Sequence, residues 1–107
     1  MLAVDVYHVC KRLSRVDRSG LGSQVRRAAQ SIRANITEGC SRSSNRDFAR
    51  FLQFAIASAS ELEDHLEFAR DVKLLPPKDA AQLITHVIEV RRMLYALLKR
   101  VQGDGAD

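Results

Sequence analysis

At 107 residues the chain holds one domain and not two, and a domain of this size buries only about two thirds of its unfolded surface. A hydrophobic content of 46%, a charged content of 28%, two prolines and five glycines exclude a disordered chain, and no apolar run reaches the roughly 18 residues that a membrane span needs. The net charge of +4 is unevenly placed: residues 1–50 carry ten Lys/Arg against four Asp/Glu, and residues 51–107 carry seven against nine. Such asymmetry suits a polyanionic partner for the first half, or attraction between unlike halves within an assembly.

Leu2, Val6, Val9, Leu13 and Val16 recur at spacings of four and three, which predicts a first helix over residues 2–17, broken by Arg18-Ser19-Gly20. Nothing in Met1–Val9 resembles an export signal. Val25, Ala28, Ala29, Ile32 and Ile36 predict the buried stripe of a second helix over 21–39, with Gly39 as a left-handed C-cap. Ser44 with Asp47 three residues on resembles a capping box and opens a third helix over 45–74, which Pro76-Pro77 prevents from continuing. Phe48, Phe51, Leu52, Ala55, Ala59, Leu62, Leu66 and Ala69 form its core face. At about 100° per residue, Phe54, Ala57, Phe68 and Val72 project nearly opposite that face. A bundle helix needs only one buried face, so this second ridge is read as a subunit interface. Ala55, Ala57, Ser58, Ala59 and Ser60 permit close approach of a neighbouring backbone.

A fourth helix over 77–102 presents Leu83, Ile84, Val87, Ile88, Leu94, Tyr95, Leu98 and Val101, with Arg91 intruding on the arc; residues 103–107 are expected to form a disordered tail. Four amphipathic helices on short loops predict an all-α, antiparallel up-down-up-down four-helix bundle.

Candidate chemistry is sparse. Carboxylate-bridged metal sites in bundles use Glu-x-x-His pairs, whereas here Glu61 precedes His65 by four and His86 precedes Glu89 in the reverse order. His8 and Cys10 point to different sides of a helix. Cys10 and Cys40 lack metal-ligand spacing and a disulfide framework, which fits a reducing cytoplasm. No motif calls for a metal or cofactor, and no constellation supports an enzyme.

The second helix is more informative, because polar residues line both edges of its apolar stripe. On one edge stand Gln24, Arg27, Ser31, Asn35 and Glu38, continued by Arg42; on the other stand Arg26, Gln30, Arg33 and Thr37. Half-buried polar residues must find partners. In one reading Arg27, Asn35 and Glu38 pair with charges on the third helix, such as Glu61 or Glu63, and fix register. In the other, Arg26 and Arg33, with Arg42, Arg46 and Arg50 around the next turn, form a phosphate-contacting patch aided by the helix N-terminus near Ser44. No aromatic is expected beside these arginines, since Phe48 and Phe51 belong to the core. That argues for salt-sensitive contact with the backbone of structured RNA or DNA rather than base stacking.

Val6-Tyr7, Gly20-Leu21, Ser23-Gln24-Val25-Arg26-Arg27-Ala28-Ala29, Ser31-Ile32, Asn35-Ile36, Glu38-Gly39, Arg42, Phe48, Arg50-Phe51-Leu52, Ala55 and Glu61-Leu62-Glu63 together resemble the four-helix bundle protein family associated with intervening sequences in 23S ribosomal RNA genes. The resemblance covers nearly the whole chain. It implies a ring-like homo-oligomer, a homopentamer of up-down bundles. Through similar accessory proteins of diversity-generating retroelements it also implies nucleic-acid binding and partnership with a reverse transcriptase, or a role as scaffold for a partner enzyme. The sequence departs from the family pattern at Leu13-Ser14, where Phe-Pro is usual, at Arg33, where proline is usual, and at Thr37, where alanine is usual. Family members carry several more residues before the Val-Tyr pair, which implies a start upstream of Met1 or a short first helix.

Overall fold

The computed structural model describes residues 1–13 and 20–105, which form four packed helices: α1 (Leu2–Lys11), α2 (Leu21–Cys40), α3 (Asn45–Asp71) and α4 (Pro77–Gly105). No strand occurs among the described residues. α1 packs on α2 and α4, and α3 packs on the same two helices from the far side, giving a rod of 50 × 20 × 18 Å.

The stripes read from the sequence build the core. Leu2 and Val6 of α1, Val25, Ala28, Ala29 and Ile32 of α2, Leu52, Ala55, Ala59, Leu62, Leu66 and Ala69 of α3, and Leu83, Val87, Leu94, Leu98 and Val101 of α4 are all buried. Cys10, Ala49, Ile56, Leu75 and Ala80 join them although the stripes did not include them. Ile84 is only half-buried, and Tyr95, expected in the core arc, is exposed. Ala55 and Ala59, the smallest apolar side chains in the middle of α3, are fully enclosed, as close helix approach requires.

Helix ends differ from expectation in four places, each with a local cause. α1 stops at Lys11 rather than residue 17, because the Arg12 and Leu13 amides turn back to the Val9 and Cys10 carbonyls at 3.2 and 3.0 Å and tighten the last turn. Val16 lies outside the described residues. Gly39 is not a left-handed cap: no glycine among the described residues has positive φ, and α2 continues through Cys40 to a right-handed Ser41. Its bare Cα serves packing instead, since a Cβ there would lie 3.0 Å from Phe48 Cδ1 and 3.1 Å from Phe51 Cβ. α4 runs on to Gly105, so residues 103–105 belong to the helix and not to a tail, while 106–107 lie outside the described residues.

The fourth difference is at the end of α3, which stops at Asp71 and not near Leu74. The Lys73 amide bonds the Arg70 carbonyl at 3.0 Å and the Leu74 amide bonds the Ala69 carbonyl at 2.8 Å, the paired bonds of a Schellman turn. That turn needs a left-handed residue, and Lys73 takes it at φ 63°. A lysine there bears a steric cost of about 1–2 kcal/mol, which glycine avoids at an entropic cost of about 0.5–1 kcal/mol. Lys73→Gly should therefore stabilise the fold by about 0.5–1 kcal/mol, read as a rise in the urea midpoint at unchanged slope. At the other end of α3 the expected cap is present: the Asp47 amide donates to Ser44 Oγ at 3.1 Å.

Candidate nucleic-acid interface

The two edges of α2 face different neighbours. Ser31, Asn35 and Glu38 lie on the edge beside α3, with Gln24 and Arg27 exposed along the same row. There the Ser31 and Ser58 hydroxyls meet at 2.8 Å, and Asn35 Nδ2 donates to the Ser31 carbonyl at 2.8 Å and to its Oγ at 3.2 Å. Glu38 pairs with Arg42 on its own side of the crossing. The row is thus tied to α3 through neutral hydroxyls rather than through ion pairs with Glu61 or Glu63. Those acids are engaged elsewhere: Glu61 Oε1 lies 3.3 Å from His65 Nε2, and Glu63 Oε1 lies 2.5 Å from Arg91 Nη1.

Arg91 supplies the charged cross-link that the row was expected to provide. Its Nη1 also donates to Ser60 Oγ at 3.3 Å, so one guanidinium joins α4 to two positions on α3. The signal was the interruption of the α4 apolar arc by Arg91. A cation in that arc finds an acid on the facing helix or is left partly desolvated at high cost.

The opposite edge of α2 lies against α1. Arg26 is half-buried beside Tyr7, Cys10 and Lys11. Arg33 is exposed at the rim of an apolar cleft of about 270 Å³ between Leu2, Ile32, Ile36 and Val90. Burial pushes the Cys10 thiol up, against the opposing pull of the Arg26 guanidinium, and its Sγ lies 3.7 Å from the Gly22 carbonyl oxygen. Cys40, expected in a loop, occupies the last turn of α2 and is exposed; both thiols are free.

At the α2–α3 turn the structure gathers the remaining arginines. The Arg42 and Arg50 guanidinium carbons stand 4.8 and 4.9 Å from the Phe51 ring centre, and Arg50 also lies 6.0 Å from that of Phe54. An aromatic therefore does sit beside the arginines, contrary to the sequence expectation: Phe51 is only half-buried, and both cations approach its ring. Such contacts contribute about 0.5–1 kcal/mol each at exposed sites and hold the guanidinium planes in place. Asp47 lies 3.9 Å from Arg50, and Arg46 is exposed in a cleft of about 480 Å³ with Asn45, Gln53 and Val101. Arg42, Arg46 and Arg50 are thus neighbours. Arg26 and Arg33 are not part of that group, since they stand about 21 Å and about 10 Å back along α2 from its end at Cys40, on the α1 side.

The α3 ridge stands clear of the core. Phe54, Phe68 and Val72 are 46%, 57% and 52% exposed, Ala57 is exposed, and the Glu61–His65 pair lies between the two phenylalanines. His86 Nδ1 lies 3.2 Å from Asp5 Oδ2, tying α4 to α1. Among the described residues no group of three or more His, Cys, Asp or Glu is placed to hold a metal ion, and no helix is long and apolar enough to cross a membrane.

A family model described as 23S rRNA-intervening sequence protein matches residues 1–96. Among solved structures, the crystal structure of a protein with unknown function from the S23 ribosomal protein family of Bacteroides thetaiotaomicron superposes with a TM-score of 0.73 at 20% identity, covering 92% of this chain and 99% of that one. No curated protein matches the chain. At that identity the likeness speaks for the fold.

Proposed function

The chain belongs to the 23S rRNA-intervening sequence protein family, and from that premise we propose a non-enzymatic, cytoplasmic homo-oligomer that binds the phosphate backbone of RNA or DNA through Arg42, Arg46 and Arg50. The observation that carries this reading is the convergence of Arg42 and Arg50 on the Phe51 ring, with Arg46 one turn away. A guanidinium whose plane is fixed by an aromatic still offers its edge to phosphate oxygens. Glu38 and Asp47 offset the charges of Arg42 and Arg50, so those two cations reach phosphate by exchanging partners. Affinity is then modest per subunit and gains from repetition around an oligomer.

The bundle within each subunit is antiparallel, up-down-up-down. As numbering rises along α2 from Ser31 to Gly39, the facing residue of α3 falls from Ser58 to Phe51. Along α4 from Arg91 to Val101 the neighbours on α3 fall from Glu63 to Ala49. The exposed ridge Phe54, Ala57, Phe68 and Val72 supports self-assembly, and our reading of that assembly is a ring of five.

Fluorescence anisotropy with a hairpin RNA and a DNA duplex at two salt concentrations tests the nucleic-acid reading. Wild type should bind at low salt and weaken steeply as salt rises. The triple variant Arg42→Ala, Arg46→Ala, Arg50→Ala should lose most of the affinity, and the salt slope should become shallower by about one unit per phosphate contact removed. Equal binding by the variant would refute the assignment.

The exposed phenylalanines also favour a second reading, a scaffold that gathers a partner enzyme such as a reverse transcriptase without touching nucleic acid. Capture of that enzyme that survives nuclease treatment and the triple arginine substitution would support it over the first.

A further inference from the structure

Among the described residues, two of the exposed apolar faces lie on opposite sides of the subunit. One is the α3 ridge. The other is the outward face of α1, where Val4 and Tyr7 are 42% and 52% exposed and Met1, His8 and Lys11 are exposed around them. Because α1 and α3 each pack on α2 and α4 from opposite sides, no single subunit can bring these faces together.

Their charges are unlike. The ridge carries Glu61 in line with its phenylalanines and Asp64 and Asp71 along its border, all exposed. The α1 face carries Lys11, and its one acid, Asp5, is already engaged by His86 and the N-terminal amine at its border. Pairing the ridge with a second ridge about its middle would bring two copies of Glu61 together, which costs free energy. Pairing it with α1 sets acid beside base and Phe68 and Val72 against Val4 and Tyr7. The lengths also agree: ten residues of α1 span about 15 Å, and Glu61 to Val72 spans about 16 Å.

We infer that the Glu61–Val72 half of the α3 ridge of one copy seats on the Val4–Tyr7–Lys11 face of α1 of the next, making a head-to-tail contact. This rests on the self-assembly reading above and assigns it a second surface. A contact between two different patches leaves the assembly one free ridge at one end and one free α1 face at the other, so it grows by addition of subunits until the rotation between them closes it as a ring.

Sedimentation of two single variants and their mixture tests the inference. Tyr7→Glu and Phe68→Glu should each sediment as monomers, with wild-type helix content by circular dichroism because both side chains are exposed. Mixed in equal amounts they should form a species of twice the monomer mass and nothing larger, since only the intact ridge of Tyr7→Glu and the intact α1 face of Phe68→Glu can meet. Lys11→Glu, a charge change that removes no apolar surface, should shift assembly to higher protein concentration. If wild type assembles but Tyr7→Glu assembles equally well, or the mixture stays monomeric or regains the full oligomer, the head-to-tail assignment is overturned while self-assembly stands. A monomeric wild type would overturn both.

Discussion

Gly39→Leu should lower the stability of the fold by about 3 kcal/mol, at the upper end of the range for overpacking a closed contact. The α2 and α3 backbones come together here because residue 39 has no side chain. An added Cβ already meets Phe48 Cδ1 at 3.0 Å and Phe51 Cβ at 3.1 Å. The Phe48 ring can swing aside, but the Phe51 Cβ is fixed to its backbone, so the helices themselves must part. Gly39→Ala separates the terms: it gains about 1 kcal/mol from better helix propensity and loses about 1–3 kcal/mol to crowding, so a small net loss is expected. Urea denaturation reads both. A stabilised Gly39→Leu would refute the close approach of the two helices at residue 39. The same substitution displaces Phe51, the ring on which Arg42 and Arg50 rest, so nucleic-acid affinity should fall with stability.

The second large effect separates folding from assembly on one helix. Leu62 is completely buried in α3, and Leu62→Ala should cost about 2–5 kcal/mol through lost burial and a residual cavity. Phe54→Glu with Phe68→Glu, on the opposite face, should cost the monomer only about 1 kcal/mol, the loss of the edge-on Phe51–Phe54 contact and of the Arg50–Phe54 contact. That double variant should nonetheless sediment as a monomer at concentrations where wild type is assembled. An unchanged oligomer would remove the ridge from the interface, and an unfolded double variant would mean that the ridge serves the subunit's own fold.

Sequence periodicity located the four helices and most of the core because each stripe repeats at the helical period over three turns or more. It misplaced the ends, where local bonds decide. Gly39 reads equally as a cap or as a close-contact residue from sequence alone. Only the position of Phe48 and Phe51 across the crossing distinguishes them. Lys73 gave no signal at all, since a lysine is not a residue that marks a left-handed turn. In the candidate site, helical angle correctly divided the polar edges of α2 and exposed the α3 ridge. It could not assign partners between helices, and so Glu63 was matched to α2 when Arg91 holds it from α4. The arginine patch was legible as a list and not as a place: five candidates separated by up to 24 residues became three neighbours and two outliers once α2 and α3 folded back on each other.

The shortness of α1 gives the subunit unequal cooperativity along its length. Ten residues dock against helices of 20 and 29, held by Leu2, Val6, Cys10 and the Arg12–Asp79 and Asp5–His86 contacts. Such a segment is the natural unit of sub-global opening, able to detach while α2, α3 and α4 keep their mutual packing. Amide hydrogen exchange should therefore run faster in α1 than in the middle of α3. If neighbouring subunits close over α1, its protection should rise with protein concentration by mass action, whereas that of Leu62 and Leu66 should not. Assembly would then complete the folding of the segment least able to hold itself.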